Sequence, residues 1–370
     1  MSVFNGPEIV NDGLVFAYDM SNTQKSWKGK PTTNYVITKV ENYTGWSGAG
    51  WWMHPGNTTS VTSQDLPDGN IGLVLNATAL STGGLYGYNG YALSAAYVSG
   101  TQYTVSFWAR SFNGTASISV RDADSGGALS SAVSGITNNW ARFSFTWTAN
   151  ASSNMLTFTG TNFSLYNVQL EINSFATPFV VGTRSSTQAI LDLTNNNSIT
   201  TQSLTYASDN TFSFNGSSDY IDITNNLGSM ANYTIMFWAK RDSENRMPVA
   251  SRLNTAFYWY GDNSWKYNHG GTNAEYYYSK PTSIPLGSWG HYCVVYDGSY
   301  VKIYRQGVFQ GQQATTGTAD WSQGLTVGWW SSRAGYAWNG KIDSVSMYNR
   351  ALTEEEVYTN FSAIRSRYGI

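Results

Sequence analysis

Short apolar runs that alternate with polar residues recur along the whole chain, separated by clusters of Asn, Gly, Ser and Asp. This is the pattern of sandwich or barrel strands. Tyr103–Ala109 (YTVSFWA), Arg142–Thr148 (RFSFTWT), Thr234–Ala239 (TIMFWA) and Tyr300–Tyr304 (YVKIY) are examples. One helix is predicted, at the C-terminal end, where Thr353 caps it and Glu356 completes a capping box. Glu354 and Glu355 suit its positive end, Arg365 and Arg367 its negative end, and Gly369 stops it. The expected fold class is all-β: two β-sandwich or jelly-roll domains and one short helix.

An internal echo supports two sandwiches. Thr104–Arg110 (TVSFWAR) matches Thr234–Arg241 (TIMFWAKR), and each is followed by a strand led by Trp, at Trp140 and Trp289. Each half closes on a similar strand, Leu165–Glu171 or Lys341–Tyr348. The echo follows from shared sandwich patterning, in which an alternating strand turns a Trp inward. Between the halves, Ala176–Ser186 (ATPFVVGTRSS) carries Pro178 and Gly182 as breakers and marks a boundary.

Length and composition sharpen the picture. At 370 residues the chain has room for two or three domains. Only 12% of residues are charged while 15% are aromatic and 36 are Gly, which favours strands and tight turns. The net charge is -2 without a Lys or Arg cluster, so the electrostatic footprint of a nucleic-acid partner is missing. No apolar stretch reaches the ~18 residues of a membrane span, and Met1–Gly13 lacks the pattern of a signal peptide. Synthesis in a cytoplasm without a leader is expected. Cys293 is the one cysteine, which excludes a disulfide framework and reads as a buried mid-strand thiol.

From Thr211 onward the chain resembles the concanavalin A-like laminin G family, in the version frequent in tailed-phage structural proteins. The matching pieces are Phe212–Ile223 (FSFNGSSDYIDI), Ile235–Lys240 (IMFWAK), Trp289–Tyr304 (WGHYCVVYDGSYVKIY) and Gly340–Val357 (GKIDSVSMYNRALTEEEV). In that family a strand like Asp12–Asn22 (DGLVFAYDMSN) soon leads to a segment like Ile190–Thr194 (ILDLT). The wide separation here implies an insertion: residues 1–30 plus 186–370 form the laminin-G-like sandwich, and 31–185 an inserted module. Residues 9–27 then pair with strands of the C-terminal half. The insert resembles a carbohydrate-binding-module jelly roll, with Trp46–Trp52 (WSGAGWW), the FWAR strand and an ending, Val168–Arg184 (VQLEINSFATPFVVGTR), similar to segments of phage virion proteins.

Candidate chemistry is sparse. His54, His269 and His291 lie far apart and outside any catalytic motif, and His291 reads as a packing residue. Asp122 with Asp124, or Asp219 with Asp222, are the nearest carboxylate pairs for glycoside hydrolysis. Their Gly- and Ser-rich settings favour turn chemistry instead. No contiguous ligand series exists, so no cofactor is assigned. Calcium is left open, because the resembling folds often hold it on separated loops.

Aromatic residues are the richest feature. One cluster is Trp51, Trp52, Tyr86 and Tyr88; the other is Tyr258, Trp259, Tyr260, Trp265, Tyr267, Tyr276 to Tyr278, Trp329 and Trp330. Adjacent residues of a strand face opposite sides, so about half of these rings point away from the main core. Such rings bury against protein neighbours or stack on sugars. The leading expectation is a non-enzymatic virion protein, a decoration, fibre or appendage component, with other virion proteins and host-surface glycan as partners and self-association into a homo-oligomer. A soluble or cell-surface lectin and a glycan-degrading enzyme are the alternatives.

Overall fold

The computed structural model describes the chain except residues 1–7, 44–49, 89, 123–127, 151–154, 210, 225–226, 244–247, 252–254, 261–263, 270–274, 279–284, 316–317 and 330–335. At 81–83, 130, 258–260, 264–266 and 275–278 it describes the backbone alone. The fold is all-β with one α-helix among the described residues, Glu354–Ile364. The chain divides into two compact units, Met1–Lys30 with Ser185–Ile370, and Pro31–Arg184.

The discontinuous unit is a sandwich of two antiparallel sheets. The larger runs in the order Thr205–Tyr206, Phe212–Asn215, Asn339–Tyr348, Tyr233–Arg241, Trp289–Tyr296, Tyr300–Arg305, Val308–Ala314. Leu14–Asp19 also pairs with Asn339–Tyr348, with Ala17 opposite Ser346. The second sheet runs Ile199–Gln202, Tyr220–Ile223, Leu325–Val327, Val249–Ser251, Ala256–Tyr260, Ser264–Asn268, Glu275–Tyr278. Alternate residues of both sheets meet in one core, with Phe16, Phe237, Val294 and Met347 on one side and Ile221, Val249, Phe257 and Val327 on the other.

Asp192 ties this unit together. Its carboxylate accepts from the amides of Ala17 (2.9 Å), Thr194 (3.1 Å), Asn196 (3.2 Å) and Asn197 (3.0 Å). The Thr194 hydroxyl and the Asn197 side-chain amide add bonds of 2.5 and 2.7 Å. The ILDLT segment thus wraps a loop around one buried carboxylate and pins the first strand to it.

The helix packs on the outer face of the larger sheet and buries Val357 and Phe361. Thr353 Oγ1 accepts from the Glu356 amide at 3.2 Å and the Thr353 amide donates to Glu356 at 2.8 Å, completing the capping box. Arg350 grips the same carboxylate with two bonds of 2.9 and 2.7 Å. The α-helix ends at Ile364, earlier than a stop at Gly369 implies; Arg365–Tyr368 continue as a 3-10 turn and Gly369 closes it at φ 71°. No helix of the described residues is long and apolar enough to cross a membrane.

The Pro31–Arg184 unit is wound from two long strands, Ile71–Tyr88 and Met155–Glu171. Their outer halves pair with Thr58–Asp65 and Gln102–Ser111, and their inner halves with Trp51–Met53 and Ser117–Arg121. The pairing register of the two long strands shifts between Phe158 and Gly160. Gly160 has φ 136°, and a Cβ there would lie 1.9 Å from the Ser117 carbonyl oxygen. Leu75, Val105, Phe107, Ile118, Phe158 and Leu165 fill the core.

The last residues of this unit are held by Glu171. This buried carboxylate accepts from Thr32 Oγ1 (2.9 Å), Gln169 Nε2 (2.8 Å), the Thr177 amide (2.8 Å) and Thr177 Oγ1 (2.8 Å). Thr32–Thr33 pairs with Thr183–Arg184, which brings both ends of the unit together.

The two echoed strands, Gln102–Ser111 and Tyr233–Arg241, are both interior strands of their sheets. The inward-Trp expectation is corrected here: Phe107 and Phe237 belong to the cores, and Trp108 and Trp238 occupy the opposite faces.

Candidate functional site

The Trp51–Met53 strand lies at the edge of its sheet, with Trp52 opposite Tyr86 on Ile71–Tyr88. Alternation then sorts the rings. Trp51 is fully buried, its indole N–H donating to the Thr38 carbonyl at 2.6 Å. It is a core residue, not a contact residue, because the residue beside it takes the outward position.

Trp52 and Tyr88 are half-buried on the outward face, with ring centroids 5.0 Å apart. Tyr86 is 5% exposed and supports both from below, at 6.3 Å from Trp52 and 5.3 Å from Tyr88. The sequence reading missed Tyr91, which is 44% exposed and lies 5.3 Å from Trp52. Its signal was the Asn-Gly step before it: Gly90 at φ 83° turns the chain back after Tyr88. The Tyr91 carbonyl is fixed by the Thr38 hydroxyl at 3.0 Å. Trp52, Tyr88 and Tyr91 thus form an angled aromatic platform reachable from solvent, the Tyr88 and Tyr91 rings inclined 60° and 48° to Trp52, with Tyr86 packed against Trp52 and Tyr88.

A second aromatic group on the same unit was also missed. Trp140 lies 5.0 Å from Tyr166, Tyr166 lies 6.3 Å from Trp108, and the Arg110 guanidinium sits 4.9 Å over Trp140. Burial raises the Tyr166 pKa, with the Asp68 charge adding to it and Arg142 opposing. The Trp140 indole is tied to the Asp65 carbonyl at 2.8 Å, so this group closes over its own sheet.

In the discontinuous unit Trp329 is half-buried and packs on Tyr220 at 5.1 Å. Tyr267 is a core residue, because its strand turns it inward, where its hydroxyl bonds to Tyr233; the Tyr233 hydroxyl also meets His269 Nδ1 at 2.8 Å. Tyr258, Tyr260, Trp265, Tyr276 and Tyr278 stand on three paired strands with Trp265 opposite Trp259 and Tyr278. Their side chains, and the whole of Trp330, lie outside the described residues.

Of the carboxylates singled out in the sequence, Asp122 and Asp219 accept local hydrogen bonds. Asp122 accepts from the Leu129 amide (2.9 Å) and the Trp147 indole (2.9 Å), and Asp124 lies outside the described residues. Asp219 is buried and accepts from the Asn215 amide at 3.1 Å, while Asp222 sits within a sheet opposite Thr200 and Thr326. Cys293 is buried, and burial pushes its thiol pKa up. Among the described residues no three His, Cys, Asp or Glu side chains gather as a metal site would require.

Residues 215–358 match the family described as the concanavalin A-like lectin/glucanases superfamily. Among solved structures, the chain is similar to domain 4 of AbnA, a GH43 extracellular arabinanase from Geobacillus stearothermophilus in complex with arabinotriose. That match has 21% identity over 48% of this chain and 93% of that one, with a TM-score of 0.38. The heptameric SAP-like pentraxin from Limulus polyphemus is 19% identical over 43% of this chain and 80% of that one, TM-score 0.34. The binding domain of botulinum neurotoxin serotype D is 13% identical over 48% of this chain and 49% of that one, TM-score 0.37. The chain thus spans about half the length of that neurotoxin chain. A comparison with curated proteins gives no match.

Proposed function

We propose that this chain is a non-catalytic surface component of a tailed-phage virion, a decoration, fibre or appendage protein that packs on other virion proteins and holds host-surface glycan on its Pro31–Arg184 unit. The observation that carries the glycan contact is the Trp52–Tyr88–Tyr91 platform. A pyranose ring presents a flat array of C–H groups, which pack on the electron-rich face of an aromatic ring. Tyr86 holds the platform from beneath, so little side-chain freedom is lost on binding. Support for the virion comes from the sequence resemblance of both modules. Support for a non-catalytic role comes from Asp122 and Asp219, whose oxygens are taken up by neighbouring amides, hydroxyls and the Trp147 indole.

Assembly through the same unit is favoured by a separate observation. Ile71 and Leu73, two residues apart on one strand face, are 76% and 51% exposed, an apolar surface of the kind that protein neighbours cover. Self-association into a homo-oligomer is part of this reading.

Two measurements test it together: electron cryo-microscopy of purified particles, and a glycan array probed with the full chain. Density for the chain at symmetric sites of the particle, and binding to a glycan class without release of sugar, are expected. Absence from every particle would leave a lectin, and sugar release would restore the glycan-degrading alternative.

A further inference from the structure

Thr58–Asp65 is an edge strand. It pairs with Ile71–Tyr88 on one side, and among the described residues no strand lies on its other side. Its regular stretch is Thr59–Asp65, because the register shifts between Thr58 and Thr59. At the turn that joins the two strands the Leu66 amide donates to the Asn70 carbonyl at 2.8 Å. Antiparallel partners alternate between bonded and non-bonded pairs. Gln64 with Gly72 and Thr62 with Val74 therefore exchange bonds, and the amides and carbonyls of Val61, Ser63 and Asp65 point to the open edge. The Trp140 indole takes the Asp65 carbonyl at 2.8 Å, which leaves those of Val61 and Ser63 for an outside strand.

Edge strands are commonly guarded by Lys, Pro or charges along their length. Thr59–Asp65 (TSVTSQD) carries no Lys, Arg or Pro, and its one charged residue, Asp65, stands at its end. Ser60, Thr62 and Ser63 are exposed.

The stretch is complementary to itself. A two-fold axis through Thr62 sets Thr62 opposite its own mate, Val61 opposite Ser63, Ser60 opposite Gln64 and Thr59 opposite Asp65. Each pair joins residues of one sheet face, and Val61 meets Ser63 through their open amides and carbonyls. The charges agree with this register. Each Asp65 faces a neutral Thr59, and the two Asp65 side chains lie at opposite ends of the paired stretch, so no like charges oppose. Behind the edge, Leu73 stands opposite Ser63 and Leu75 opposite Val61. One row of the joined sheet then runs from Leu73 through the small Ser63 to Val61 and Leu75 of the second copy. The exposed Leu73, at 51%, thereby gains an apolar neighbour.

We infer that two copies of this chain join through Thr59–Asp65, antiparallel and symmetric about Thr62, into one continuous sheet. The inference rests on the self-association proposed above and names its surface.

The test uses the full chain. Sedimentation equilibrium over a concentration series is expected to show a dimer for wild type. Ser63→Pro is expected to weaken it at least tenfold, because proline on an edge removes an outward N–H without breaking a bond inside the sheet. Cysteine substitution reads the register independently. Thr62→Cys is expected to form a disulfide-linked dimer under mild oxidation, its mate lying directly opposite at about 4.5 Å between Cα atoms. Ser60→Cys is expected to stay unlinked, because its mate is displaced along the strand. Cys293 is buried and does not compete. An oligomer that survives Ser63→Pro, or in which Thr62→Cys links no better than Ser60→Cys, overturns this interface and leaves self-association standing. A monomer at every concentration overturns both.

Discussion

The Ala17 amide donates to the Asp192 carboxylate at 2.9 Å, across 175 residues of chain. The bond joins the strand that opens the sandwich to the segment where the chain re-enters it. Five further bonds from Thr194, Asn196 and Asn197 converge on the same side chain, which is 3% exposed.

Asp192→Ala therefore strands several buried donors and is expected to destabilise the discontinuous unit by about 3 kcal/mol or more. Asp192→Asn, which keeps an acceptor oxygen, is expected to cost less. Urea unfolding followed by tryptophan fluorescence measures both.

Glu171 plays the corresponding part in the other unit. Glu171→Ala is expected to lower its stability by about 3 kcal/mol and to release Thr177–Arg184, because Thr32, Gln169 and Thr177 lose their common acceptor. Protection of the Thr177 amide in hydrogen exchange reads this locally.

Strands, the capping box at Thr353 and the buried Cys293 were legible because each is written in local spacing: alternation, a threonine three residues before a glutamate, an apolar run. The pairing of Leu14–Asp19 with Asn339–Tyr348 is recorded in no local pattern and came only from the family resemblance. Aromatic sites were half legible. Alternation foretold that one of Trp51 and Trp52 faces outward, yet which one is decided by the register against Tyr86 and Gly87. Trp140 and Arg110 escaped notice because their meeting depends on the register of Gln102–Ser111 against Ala141–Thr148, which sets Ala109 opposite Ala141 and brings the next two residues together.

Gly160→Ala is expected to destabilise the Pro31–Arg184 unit by more than about 3 kcal/mol. The backbone there has φ 136°, and the new Cβ would collide with the Ser117 carbonyl, which is rigid sheet backbone. The same denaturation experiment applies, with Gly182→Ala as a comparison: φ is 71° but nothing lies within 4 Å.

Acid sensitivity follows from His291. Its pKa falls from 6.5 to about 3 through burial, so between those values the unfolded chain binds a proton that the native protein does not. Its contribution to stability is complete above pH 6.5 and declines by about 1.4 kcal/mol per pH unit below it, until the folded value is reached. Urea midpoints at pH 8 and pH 5 are expected to differ more for wild type than for His291→Gln.

The most direct test of the account compares wild type with Trp52→Ala on a glycan array built from host-surface polysaccharides. Wild type is expected to bind, and the variant to lose at least about tenfold in affinity, about 1.4 kcal/mol, with its urea midpoint unchanged. Equal binding by both proteins, or none by wild type, would contradict a glycan contact at the Trp52–Tyr88–Tyr91 platform.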